Sequence, residues 1–96
     1  MSYRPKIEKK LITAIEYLKS IGCREVILFG SHADEIADES SDIDLAITGI
    51  SPRMYFKTVA IISSIVGTKV DLIAMDYISK DFEEKIRKEG RRLYAI

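Results

Sequence analysis

The chain has 96 residues, a length that suits one domain with a small core. Hydrophobic residues make up 47%, with 16 isoleucines among them, which excludes a disordered chain; the single Cys23 excludes a disulfide scaffold, and no apolar run approaches the roughly 18 residues of a membrane span. Fifteen basic residues balance fifteen acidic ones, so no global field directs the protein to nucleic acid or a membrane surface. The stretch from Met1 to Lys6 lacks the apolar run of a signal peptide, and a cytoplasmic location is expected. Asn and Gln are absent while Ile, Lys and Glu abound, a pattern that suits a hot environment.

Ile7, Leu11, Ile15 and Leu18 recur at helical spacing and predict a helix over residues 5–21, with Pro5 in its first turn and Gly22 as its stop. Glu25 to Gly30 is a short apolar run ending in glycine, the pattern of a buried strand. Ser31 follows and can cap a short helix over residues 32–39. Residues 42–48 predict a second strand, broken by Gly49, Ser51 and Pro52. Pro52 opens a second long helix over 52–66, apolar around most of its circumference through Met54, Tyr55, Phe56, Val59, Ile62 and Val66. Such a helix is buried on more than one side or offers a surface to a partner. Residues 69–74 predict a third strand. Ser79 caps a helix over 80–89, with Asp81 in its first turn and basic residues toward its end, and residues 91–96 predict a last short strand. Alternating helices and strands indicate an α/β (α+β) domain, a small mixed sheet with helices packed on one side.

The charge distribution carries the chemistry. Residues 34–44 hold six carboxylates and no Lys or Arg, and such a cluster is self-repelling unless a cation sits in it. Asp42 and Asp44 are two residues apart on a strand, so both side chains leave the same face. Asp71 falls between Val70 and Leu72, in the middle of an apolar strand, where a carboxylate is costly unless paired or bound to metal. With the third strand beside the second, the three carboxylates form an oxygen site for Mg²⁺ or Mn²⁺, and two such ions clamp both oxygens of an in-line phosphoryl displacement. Gly30 and Ser31, at a strand end opening into a helix, supply backbone N–H groups and a close approach for phosphate.

Gly30-Ser31, ten residues, then Asp42-Ile43-Asp44 resembles the signature of the DNA polymerase beta-like nucleotidyltransferase superfamily, and the chain resembles its minimal members over nearly its whole length. The resemblance implies that Asp42 and Asp44 bind two Mg²⁺ ions, with Mn²⁺ an alternative. It implies that Asp71 assists one metal and activates the attacking hydroxyl, and that Gly30 and Ser31 contact the triphosphate of ATP. Many minimal members follow Gly-Ser with an Arg-Ala-Arg-Gly-like run; here the segment is His32-Ala33-Asp34-Glu35. Minimal nucleotidyltransferases often act as antitoxins of helical HEPN-type toxins, and some transfer AMP to a tyrosine of that toxin. The expected function is therefore metal-dependent transfer of a nucleoside monophosphate to a hydroxyl of a partner protein, since 96 residues leave no room for a separate acceptor-holding domain. Two alternatives stand beside it: a module that neutralises a toxin by contact alone, or an enzyme acting on a small molecule or an RNA end. Zero net charge weighs against nucleic acid, and a homo-oligomer is left open.

The remaining polar candidates have plain structural readings. Cys23, just past a helix end, is expected to be a packing residue. His32 suits a surface helix start as well as a phosphate contact, and Ser41 has no required role. Lys69 shares a strand face with Asp71 and either binds phosphate or offsets the carboxylates.

Overall fold

The computed structural model describes residues 4–30 and 43–96. The short helix expected over 32–39 lies outside the described residues. The elements follow in the order α1 (Arg4–Ser20), β1 (Glu25–Phe29), β2 (Ile43–Thr48), α2 (Pro52–Val66), β3 (Val70–Ala74), a 3₁₀ turn (Met75–Tyr77), α3 (Lys80–Glu89) and β4 (Arg91–Ala95). Each expected helix and strand among the described residues is present, with ends shifted by one residue or so, within the usual fraying of helix and strand ends. The 3₁₀ turn is an addition; Asp76 within it accepts a hydrogen bond from the Gly49 N–H at 2.9 Å, tying the end of β3 to the end of β2.

The sheet has the order β3-β2-β1-β4. β1 runs antiparallel to both β2 and β4, while β2 and β3 are parallel. A parallel pair needs a crossover element between its strands, and α2 is that element. Pro52 occupies its first turn and Gly67 ends it, as their positions in the sequence suggest.

Strand alternation divides the apolar residues between two faces. On one face Val26, Leu28, Ile43, Leu45, Ile47, Val70 and Leu72 meet Leu11, Ala14 and Leu18 of α1 and Ile62 and Val66 of α2, all buried. Each fully buried Leu or Ile here stabilises the fold by roughly 1.5–3 kcal/mol. Cys23 is buried with this group and its thiol donates to the Glu25 carbonyl at 3.2 Å, the packing role expected of it. Burial pushes the Cys23 thiol pKa up, which keeps it protonated and unreactive.

The other face is covered as well. Ile27 and Ala46 point away from α1 and α2 and are buried under Met75 and Ile86. The helices therefore lie on both sides of the sheet, α1 and α2 on one and α3 on the other, rather than on one side. The physical reason is that β1 and β2 are apolar at consecutive positions, so neither of their faces can be left wet. Arg87 fixes the seating of α3: its guanidinium donates to both carboxylate oxygens of Glu25, at 2.6 and 2.9 Å, and to Glu83 at 2.9 Å. Arg92 of β4 joins from the neighbouring strand at 3.2 Å from Glu25. The Ser79 side chain caps α3 by accepting from the Phe82 N–H at 3.2 Å.

Candidate active site

The site lies where β1 ends and β2 and β3 begin, on the sheet face that carries α3. Parallel pairing sets Asp44 directly beside Asp71, and antiparallel pairing sets Asp44 beside Phe29, the last residue of β1. Neighbouring strands are about 4.8 Å apart, so the two carboxylates project side by side from one row of the sheet. Both are partly buried. Lys69 Nζ stands 4.0 Å from Asp71 Oδ1, and the Lys69 carbonyl accepts from the Ile43 N–H at 3.1 Å, which locks the entry of β3 against the start of β2. Of the two readings of Lys69, offsetting the carboxylates is the one this contact supports; with Lys69 exposed and Asp71 half-buried, the pair itself adds little to stability.

Gly30 follows β1 with φ at +73°, a conformation L side chains rarely adopt. A Cβ there would fall on Asp44 Oδ2 and come within 3.1 Å of Asp44 Cγ. Glycine is thus required twice, by its backbone angle and by the carboxylate it faces. The space a Cβ would fill belongs to the Asp44 carboxylate and to whatever that carboxylate binds.

Asp44 and Asp71 offer oxygen donors of the type hard divalent cations prefer, held in register and opened toward Gly30. Among the described residues no three acidic, His or Cys side chains converge as a metal-binding group. Asp42, Ser31, His32 and Ser41 lie outside the described residues. The described donors, a carboxylate pair beside a glycine cradle, fit a divalent cation.

A cleft of about 470 Å³ opens over the two carboxylates, bordered by Phe29, Tyr55, Phe56, Lys69 and Phe82. A second, more apolar groove of about 540 Å³ runs along β3 and shares Tyr55, Phe56, Leu72 and Ile73 with the first. The Tyr55 hydroxyl donates to the Leu72 carbonyl at 2.6 Å and holds α2 against β3. Phe56 stacks edge-on to Tyr55, with ring centroids 5.3 Å apart, and is 81% exposed. The apolar circumference of α2 is thus only partly internal: Thr58, Ile62 and Val66 are buried, and Phe56 faces out.

Two contributors escape a reading by motif. Phe82 reaches the carboxylate cleft from α3, and Lys85 lies one turn further along the same helix. The signal was present in the spacing of Phe82 and Ile86, four residues apart on an otherwise charged helix.

The structure thus brings two strand carboxylates together beside a glycine at a strand end. The profile of the family described as Polymerase beta, Nucleotidyltransferase matches residues 9–96. The chain belongs to that nucleotidyltransferase family, whose substrates are nucleotides. A protein of Methanocaldococcus jannaschii assigned as a protein adenylyltransferase is 34% identical over 71 residues, covering 66% of this chain and 72% of the relative. Among solved structures, a toxin-antitoxin complex with AMP-PNP contains a similar fold, with a TM-score of 0.77 and 21% identity over 93% of this chain and 73% of that one. A minimal nucleotidyltransferase gives a TM-score of 0.77 and 19% identity over 94% of each chain. The complex of a tri-AMPylated Shewanella oneidensis HEPN toxin with its MNT antitoxin gives a TM-score of 0.74 and 18% identity, over 94% of this chain and 73% of that one. No helix among the described residues is long and apolar enough to cross a membrane.

Proposed function

We propose that this protein transfers AMP from ATP to a hydroxyl of a partner protein, and that the partner is a helical HEPN-type toxin which the protein restrains as antitoxin. The observation that carries the chemistry is the in-register pair Asp44 and Asp71 beside Gly30. The partner rests on the relatives: one assigned to protein adenylylation and one complexed with an AMPylated toxin.

In this reading Asp44 and Asp71, together with Asp42, hold one or two Mg²⁺ ions, or Mn²⁺, and Gly30 and Ser31 receive the phosphates. The metal supplies charge neutralisation at the α-phosphate and at the departing pyrophosphate. Asp71 accepts the proton of the acceptor hydroxyl. The hydroxyl oxygen forms a bond to the α-phosphorus, the α–β bridging bond breaks, and pyrophosphate leaves with its electron pair. Lys69, 4.0 Å from Asp71, offsets part of the negative charge there. The acceptor hydroxyl comes from the partner protein in this reading, and a relative complexed with an AMPylated toxin supports it.

The test is incubation of the purified protein with ATP, Mg²⁺ and the HEPN-type partner, followed by intact-mass spectrometry. A gain of about one AMP per transfer is expected, and none with the Asp44→Asn variant. Silencing of the partner without any mass gain would replace this reading with neutralisation by contact alone.

A further inference from the structure

A triphosphate carries three to four negative charges, and the sequence that follows Gly30 and Ser31 holds no Lys or Arg before Arg53. Placing phosphates there without a nearby cation is costly. The described residues offer one at the seat itself. α3 presents Phe82, Lys85, Ile86 and Glu89 along one side, three, four and seven residues apart, and with Phe29 and Gly30 they line a cleft of about 210 Å³.

The orientation of this helix side is held from two directions. Ile86, 2% exposed, packs with Ile27 and Ala46, and Arg87 is tied to Glu25 by two hydrogen bonds. This places Lys85 on the cleft that Gly30 also lines. Phe29 and Phe82 border both this cleft and the one over Asp44 and Asp71, so the two clefts meet at a pair of aromatic side chains. Phe82 is 39% exposed, while its helix neighbour Ile86 is covered. An open aromatic ring beside a phosphate seat suits a nucleobase, which stacks on any such face.

We propose that the α3 side of the site is the nucleotide subsite: Lys85 binds the terminal phosphates above Gly30, and the Phe82 ring stacks on the base. This rests on the nucleotidyltransferase reading, which puts the phosphates at Gly30. It assigns the two ends of the nucleotide to two different side chains, and the two are separable by ligand.

Calorimetric titration in Mg²⁺ of the wild type, Lys85→Gln and Phe82→Leu, each with a non-hydrolysable ATP analogue, AMP and inorganic tripolyphosphate, tests it. Lys85→Gln is expected to weaken the ATP analogue and tripolyphosphate about tenfold, the loss of one charge-assisted contact, and to leave AMP unchanged. Phe82→Leu is expected to weaken the ATP analogue and AMP about tenfold and to leave tripolyphosphate unchanged, with Phe82→Trp restoring the affinity. Thermal melts of both variants within a few degrees of the wild type exclude a folding defect. If all three proteins bind the three ligands alike, the subsite is overturned and the nucleotidyltransferase reading stands. If Phe82→Leu weakens tripolyphosphate as much as AMP, the ring is not a base platform. A wild type that binds no ATP analogue sinks the functional reading itself.

Discussion

Asp44 and Asp71 are register partners across the parallel pairing of β2 and β3, so two like charges project side by side from adjacent strands. Two like charges so placed repel each other, and Lys69, 4.0 Å from Asp71, offsets part of that repulsion. In EDTA, Asp44→Asn is accordingly expected to melt at or slightly above the wild-type temperature. In millimolar Mg²⁺ with an ATP analogue the order reverses, because only the wild type gains stability by binding. Transfer activity should fall about 1,000-fold or more, the loss of several kcal/mol of charge stabilisation in the transition state. Paired thermal melts with and without EDTA decide it: a variant that gains as much from Mg²⁺ as the wild type removes Asp44 from the metal site.

Gly30 and Gly22 give a controlled comparison. Both have positive φ, +73° and +98°, but a Cβ at Gly22 meets nothing within 4 Å, whereas at Gly30 it meets the Asp44 carboxylate. Each alanine substitution costs about 1–2 kcal/mol of backbone strain. Only Gly30→Ala displaces Asp44 as well, so it alone should abolish Mg²⁺-dependent stabilisation and nucleotide binding. Denaturant titration with nucleotide binding measured in parallel separates the two effects; equal binding losses in both variants would mean that strain, not the lost cradle, is responsible.

The order of elements was legible because glycine and proline punctuate the chain at Gly22, Pro52, Gly67 and Gly90, and because apolar spacing switches between helix and strand periods. That Asp42 and Asp44 share a face is an expectation from strand period, and Asp42 lies outside the described residues. Three things did not follow. The partner of β3 is a matter of tertiary pairing, so the meeting of Asp71 with Asp44 could be stated only on condition that the strands were neighbours. The seating of α3 on the second face depends on Glu25 and Arg87, 62 residues apart in the chain. The approach of Gly30 to Asp44 is a consequence of the β1–β2 register, which no local pattern encodes.

Glu25 gives the fold a pH signature away from the active site. The two hydrogen bonds from Arg87, with Arg92 nearby, hold the Glu25 carboxyl below the usual glutamate range. A depressed folded-state value means that stability is present above the unfolded value of about 4.3 and is lost as pH falls through the folded one. Glu25→Gln should therefore be less stable than the wild type at pH 7, by about 1–3 kcal/mol for the lost charged hydrogen bonds. The gap should narrow steadily below about pH 4. Urea titrations at pH 7 and pH 3 check the sign; a gap that stays constant with pH would mean that the glutamate acts through packing alone.

Phe56 tests the role of the partner. It is 81% exposed on α2, packs edge-on against Tyr55, and borders both the carboxylate cleft and the apolar groove along β3. An acceptor protein that reaches Asp71 by way of the apolar groove passes over this ring, because the cleft and the groove share Tyr55 and Phe56. Burying such an exposed aromatic at an interface is worth about 1.5–3 kcal/mol, while its replacement on the free protein changes little. Phe56→Asp should therefore leave the melting temperature and ATP-analogue affinity near their wild-type values, yet weaken partner binding at least about tenfold, because it also places a charge where the ring would be covered. Tyr55→Phe makes the complementary case. It removes the hydrogen bond to the Leu72 carbonyl, so it should cost about 1 kcal/mol of stability and leave partner binding nearly intact. Surface plasmon resonance on the immobilised partner, with melts of both variants, reads the two effects separately. Wild-type partner affinity in Phe56→Asp would direct the acceptor to another approach, over α3 rather than α2.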